Sequence, residues 1–347
     1  MPPYFDELSL TAQTAYAQVL EATLAAEHLR SVADLPGSFA SKTVRGHRYW
    51  YFQYTEPSGA LRQVFVGPDN ANVQRLMERK AGDSARQPLG PLAHSALVLG
   101  CSGILPRHYR VIRRLADYGF FQAGGVLIGT HAFLAFGNML GVRWASSDRT
   151  QDVDFAHAGK NIALALPSTL EARADKAIES LEMGFLPLAS FVTANAAGYL
   201  NPKDPTFRLD FLTTRHRGKD EPFQHQQLGV TLQPLKFMEF SLENVQQAVL
   251  LAPEGAVLVR VPHPARYALH KLLVFGERES AFAAKAAKDL AQAAHLLARL
   301  HPDHDDAIHA SWDDLMSRGK GWVSRARQGV RALMSTYPDL AGALPGN

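Results

Sequence analysis

The chain has 347 residues, 46% of them hydrophobic and 20% charged, with a formal net charge of +3 and a single cysteine. That length suits about two domains and a core that needs neither disulfides nor a structural zinc, and the lone Cys101 excludes a disulfide framework and any multi-cysteine metal site. The expectation is a soluble, cytoplasmic globular protein, because the opening residues lack the basic and apolar stretches of a secretory signal. The apolar run from Phe120 to Val142 is broken by Gln122, His131, Asn138 and glycines, whereas a membrane span needs about 20 mainly apolar residues.

In chain order, residues up to about Arg30 read as a helix, with Tyr16, Val19, Leu20 and Leu24 at helical spacing. From Ser38 the period changes. Ser38 to Val44, Arg48 to Thr55 and Leu61 to Val66 are short aromatic or β-branched runs separated by turn residues, which predicts a three-stranded antiparallel sheet. Tyr49, Tyr51 and Gln53 then share one face of the middle strand, and Trp50, Phe52 and Tyr54 the other. Polar, helix-favouring residues run from Asn70 to Arg86, and Gln87-Pro88-Leu89-Gly90-Pro91 reads as a linker.

A second helix is expected over Pro106 to Tyr118. An α/β alternation follows, with a strand at Gly125 to Ile128, a helix after Gly129 and a strand at Val153 to Phe155. A helix is then predicted from Leu170 to Met183 and a strand from Phe207 to Leu212. Beyond Pro262 the pattern is helical to the end. The boundaries expected are an accessory helix and sheet over 1–90, a core over 91–261 and a helical domain over 262–347. Charge is unevenly spread: from Pro36 to Leu115, twelve Lys or Arg stand against four Asp or Glu. That excess suits a polyanion-facing surface, with a solvated basic face as the alternative.

The most informative local sequence is Gln151-Asp152-Val153-Asp154-Phe155. Carboxylates at i and i+2 of a strand project from one face and repel unless a cation joins them, and Mg²⁺ takes one or two carboxylates plus substrate phosphate oxygens. A solvated strand end gives the same pattern. Upstream, Gly129-Thr130 breaks a buried strand into a helix, where free amides and a hydroxyl suit a phosphate; an ordinary capped turn is the alternative. Downstream, Asp210 sits on a largely apolar strand, either as a salt-bridged structural acid or as a third ligand.

A glycine turn, an Asp-x-Asp strand and a later single Asp, in that order, resemble the nucleotidyltransferase-fold superfamily, the DNA polymerase beta-like group, over roughly Phe121 to Leu300. Two departures stand out: Thr130 where the pattern has Gly or Ser, and Gln151 where it has a hydrophobic residue. His270-Lys271-Leu272 and Lys288-Asp289-Leu290 are similar to the helical tail of the bacterial AbiEii-like nucleotidyltransferases. The resemblance implies an α/β (α+β) fold: a mixed sheet with helices, an N-terminal helix plus three-stranded antiparallel sheet, and a C-terminal helical domain. It also implies Mg²⁺ (or Mn²⁺) on Asp152, Asp154 and Asp210 as catalytic acids, and an NTP whose phosphates meet Gly129, Thr130, Lys271 and Lys288. Helical spacing lets Asp289 pair with a neighbouring lysine on its own helix.

The three-stranded sheet is similar to those that some integrases lay on nucleic acid. Arg45, Arg48, Tyr49, Tyr51 and Arg62 are its candidate contacts, since aromatics stack unpaired bases and arginines hold phosphates. The activity expected is transfer of an NMP from an NTP to an acceptor hydroxyl, with RNA, including a tRNA end, as the favoured acceptor. A protein or small-molecule acceptor, or a catalytically silent nucleic-acid-binding or antitoxin-like module, are the alternatives.

Overall fold

A computed structural model describes residues 4–28, 37–55, 61–81, 89–145, 161–166, 174–188, 197–215, 221–226, 228–277 and 283–344. Strand β1 (Phe5–Glu7) leads into helix α1 (Leu10–His28), where Ser9 Oγ accepts a hydrogen bond from the Ala12 amide at 3.2 Å. The helix buries Ala12, Ala15, Tyr16, Val19, Thr23 and Ala26, a stripe at three- and four-residue spacing. Strands β2 (Ser38–Val44), β3 (His47–Thr55) and β4 (Leu61–Pro68) form the expected antiparallel sheet in that order. Its first hairpin closes on Arg45 and Gly46, both at positive φ (49° and 79°), as a two-residue turn of that hand requires. Helix α2 (Ala71–Ala81) lies against the sheet through Val73, whose methyl approaches Gly67 closely.

Helix α3 (Leu89–Val98) begins inside the stretch that reads as a linker. Pro91 falls in its first turn, where a missing amide costs nothing. Helix α4 (Pro106–Asp117) is followed by β5 (Val126–Ile128), α5 (Gly129–Met139) and β6 (Val142–Trp144), and β6 pairs antiparallel with β1. Next come β7 (Asn161–Leu166) and α6 (Ala174–Glu179), which lies within the helix expected from Leu170 to Met183 and ends before Ser180. Strands β8 (Leu186–Pro187), β9 (Tyr199–Asn201), β10 (Asp204–Thr214), β11 (Phe223–His225) and β12 (Val230–Leu235) lead to a short helix, α7 (Met238–Leu242). The predicted strand at Val153 to Phe155 lies outside the described residues.

Among the described residues the central sheet has seven strands, ordered β11-β12-β10-β7-β5, with β9 and β8 added beside β10. It is mixed: β7 and β12 run parallel to β10, while β5 runs antiparallel to β7. Burial alternates along β10, with Phe207, Leu209 and Phe211 packed into the main core and Arg208, Asp210 and Leu212 half-buried on the other face. Against the core face, α4 packs Tyr109, Val111, Ile112 and Leu115.

A hairpin that the sequence pattern does not announce follows: β13 (Val245–Ala252) and β14 (Gly255–Pro262), in register from Val245↔Pro262 to Ala252↔Gly255. It separates two cores. One side joins the main cluster; Val249, Leu251 and Ala256 pack with α1 and α3, where the Tyr16 hydroxyl accepts from the Val249 amide at 3.2 Å. The chain ends in helices α8 (Pro264–Glu277), α9 (Ala283–Leu300), α10 (Asp305–Ser317) and α11 (Lys320–Thr336), the helical C-terminal region expected. The residues from His301 to Asp306 span the turn between α9 and α10, with Asp305 and Asp306 in the first turn of α10. The molecule is thus a mixed α/β protein. No helix among the described residues is long and apolar enough to cross a membrane.

Candidate active site

The register of the central sheet brings two separated sequence features together. Ile128 of β5 pairs with Ala163 of β7, and Ala163 pairs with Asp210 of β10, so the Ile128 and Asp210 side chains stand in one row on one face. Two strand spacings, about 10 Å, separate Asp210 from the end of β5. There the chain turns into α5 at Gly129, whose φ of 66° suits glycine. Among the described residues no side chain caps that helix start, which leaves its first amides to an outside acceptor.

Asp210 keeps 31% of its side-chain exposure. Burial pushes its carboxyl pKa up, and Arg208, 3.8 Å away, and Lys285 pull it only part of the way back. A carboxylate drawn out of water and incompletely compensated fits a place beside a divalent cation. Gly198 (φ 100°) lies against it: a Cβ there would meet Leu209 O at 2.5 Å and Asp210 Oδ1 at 3.2 Å. Asp152 and Asp154 lie outside the described residues. Among those described, no three His, Cys, Asp or Glu residues gather to hold a metal.

The C-terminal helices close over the turn. Tyr267 on α8 donates to Gly129 O at 2.9 Å, with its oxygen 3.1 Å from Gln292 Oε1 of α9, and burial pushes its hydroxyl pKa up to about 12. Four residues on, Lys271 pairs with Asp289 of α9 at 2.7 Å and lies over the Tyr267 ring at 5.1 Å. Burial alone would lower the Lys271 pKa, but Asp289 and Tyr267 more than reverse it. Spacing on α9 offered Asp289 a partner on its own helix; this contact reaches across from α8, and it makes Lys271 one half of a buried ion pair. Lys288 lies close enough to the start of α5 for its charge to lower the His131 pKa.

A family model described as nucleotidyltransferase matches residues 107–317, from α4 to the end of α10. The chain belongs to this nucleotidyltransferase family. No curated protein matches it. An antigenic nucleotidyltransferase-like protein from Paracoccidioides brasiliensis is similar at 9% identity over 70% of this chain and 94% of that one, with a TM-score of 0.28, a likeness too loose to carry an argument. The family stretch holds the Gly129 turn, Asp210, Lys271 and Lys288. It leaves out the three-stranded sheet.

Two histidines of the nucleotidyltransferase region escape sequence reasoning. His108 on α4 and His131 on α5 are 1% and 2% exposed, and their rings meet at 3.0 Å between His108 Nδ1 and His131 Nε2. One proton shared between them satisfies both inner nitrogens; their outer nitrogens have no partner among the described residues. Burial first, then His131 and Arg107, takes His108 down to about 3, while burial and Lys288 take His131 down to about 4. The only sequence signal is the place of His131 two residues after Gly129.

On the three-stranded sheet, Tyr49 and Tyr51 share a face as expected, joined there by Phe65 at 6.1 and 5.5 Å and by Lys42, 4.8 Å above the Tyr51 ring. Phe65 is 56% exposed. Arg48, on the opposite pleat, faces Asp69 at 3.8 Å and so does not join that aromatic face. Arg45 stands at the hairpin tip. Arg62 pairs with Tyr54 through the backbone, and its side chain lies outside the described residues.

Proposed function

We propose that this chain moves an NMP from an NTP to an acceptor hydroxyl in the cytoplasm, with RNA as the acceptor. The observation that carries the reading is the single row holding Asp210 and the end of β5, with the Gly129 turn bolted to α8 by Tyr267. The start of α5 receives phosphate oxygens, aided by the Thr130 hydroxyl and by the charge of Lys288, while Lys271, its charge met by Asp289, lies over the Tyr267 ring that holds the turn. Asp210, Asp152 and Asp154 would hold Mg²⁺ or Mn²⁺, and Asp210 would also orient the attacking hydroxyl. The chemistry such an ion would supply is neutralisation of charge on the phosphates as pyrophosphate is displaced in line. The partly exposed face of Lys42, Tyr49, Tyr51 and Phe65 offers stacking area and a cation to RNA. The Lys271 and Lys288-Asp289 motifs support placing the chain beside the AbiEii-like group.

The test supplies Mg²⁺, each labelled NTP and total RNA to the wild type and to Asp210→Asn, with thermal melting to confirm folding. Label enters RNA with the wild type and falls by at least about a hundredfold in the variant. Label confined to protein or small molecules moves the acceptor; no label from any NTP, with RNA retained, replaces the transferase by a binding module.

A further inference from the structure

The face of the sheet that carries Asp210 continues beyond it. Leu212, two residues on, pairs with Gln233 of β12, and Thr214 pairs with Leu235, so Gln233 and Leu235 stand on the same face as Asp210. Over this end of the sheet runs α8. Tyr267, His270, Lys271 and Val274 fall at i, i+3, i+4 and i+7 and therefore share one side of the helix. The first of them bonds the Gly129 turn, the third holds the ion pair with Asp289, and His270 and Val274 line a cavity of about 290 Å³ with Gln233, Leu235 and Phe237. Other hollows among the described residues lie between α1 and α3 and against the C-terminal residues, on surfaces formed by other elements.

Three properties make this cavity more than a gap between helix and sheet. Its volume is at the lower edge of the roughly 300–1,000 Å³ of small-molecule sites, room for one end of a ligand. Its walls are mainly apolar, from Pro234, Leu235, Phe237 and Val274; the polar groups among them are the Gln233 amide, whose Nε2 donates to Pro234 O at 3.2 Å, the His270 imidazole and, at the rim, the Lys236–Glu277 ion pair. Phe237 holds φ at 65°, a left-handed conformation that a bulky residue adopts only under constraint, and its ring is braced edge-on by Trp322 at 4.6 Å. From Tyr267 to Val274 the helix rises about 10 Å, on the order of the span between the phosphates and the base of a nucleotide.

We propose that this cavity receives the base of the NTP, with Phe237 and Val274 against its faces and Gln233 and His270 reading its edge. The proposal rests on the transferase reading and adds to it the residues that set base preference. An amide offers both a donor and an acceptor, so exchanging one base for another leaves a polar group unpaired in a partly dry site.

The experiment is equilibrium binding with Mg²⁺ of ATP, GTP, CTP, UTP and inorganic tripolyphosphate, on the wild type, Gln233→Leu and Val274→Trp, each checked by melting. The wild type binds one NTP at least about tenfold tighter than the weakest of the four, and tighter than tripolyphosphate. Gln233→Leu brings the four NTPs to within about threefold of each other, and Val274→Trp brings all of them to the affinity of tripolyphosphate, which neither variant changes. Base preference retained in a folded Gln233→Leu, or NTP affinity retained in a folded Val274→Trp, overturns the cavity and leaves the transferase reading standing. Failure of the wild type to bind any NTP removes both.

Discussion

Lowering the pH from 7 to 5 loads the His108–His131 pair with a cost that the structure allows to be worked out. Both groups titrate near 6.5 in an unfolded chain, and in the folded protein they are held at about 3 and about 4. Between those values the unfolded chain binds more protons than the native one, so the stability from keeping the pair neutral is present above 6.5 and drains away as the pH falls. At pH 5 the loss relative to pH 7 is about 2 kcal/mol for each histidine, about 4 kcal/mol together. His263 and His295, also lowered chiefly by burial, add loss of the same sign, so the pair is isolated by difference. Replacing both rings in His108→Leu/His131→Leu removes two outer nitrogens that have no partner among the described residues along with the shared bond, and changes stability little at pH 7. Urea midpoints at pH 7 and pH 5 then show the wild type losing about 4 kcal/mol more than the double variant. Equal losses in the two proteins would refute the assignment of neutral, buried imidazoles.

Other outcomes follow from the same geometry. Lys271→Ala takes a buried cationic partner from Asp289, 6% exposed, and costs about 3–5 kcal/mol in chemical denaturation, whereas Lys271→Met/Asp289→Leu recovers most of it because both buried charges go together. Gly198→Ala sets a methyl 2.5 Å from Leu209 O at a φ of 100°; it lowers stability by at least about 2 kcal/mol, measured by melting, and displaces Asp210.

Where local pattern and tertiary role agree, the sequence is legible. β10 alternates apolar and polar residues, and that alternation by itself puts Asp210 on the partly open face; the Arg45-Gly46 turn and its aromatic strands announce their hairpin in the same way. The β13–β14 hairpin is not readable because the core takes up most of both its faces, and a strand buried on both sides loses its alternation. α3 is hidden by a Gly-Pro pair that marks a loop inside an element but is harmless in a first turn. The site divides likewise. The Gly129 turn and Asp210 carry local signatures, but Lys271–Asp289 and His108–His131 join residues 18 and 23 positions apart whose meeting depends on how helices pack. The reach of α8 to the end of β12 is equally invisible in one dimension.

Close to where the described chain begins, Tyr4 donates its hydroxyl to Asp339, a contact across 335 positions. β1 lies beside it against β6, and Tyr337 packs on the Tyr4 ring at 5.9 Å. Folding therefore has to close a loop nearly as long as the chain, an entropic cost of about 5 kcal/mol from the length dependence alone. A ligated, circular form would have met most of that cost before folding begins, and so would gain stability by narrowing the unfolded ensemble without a single new native contact.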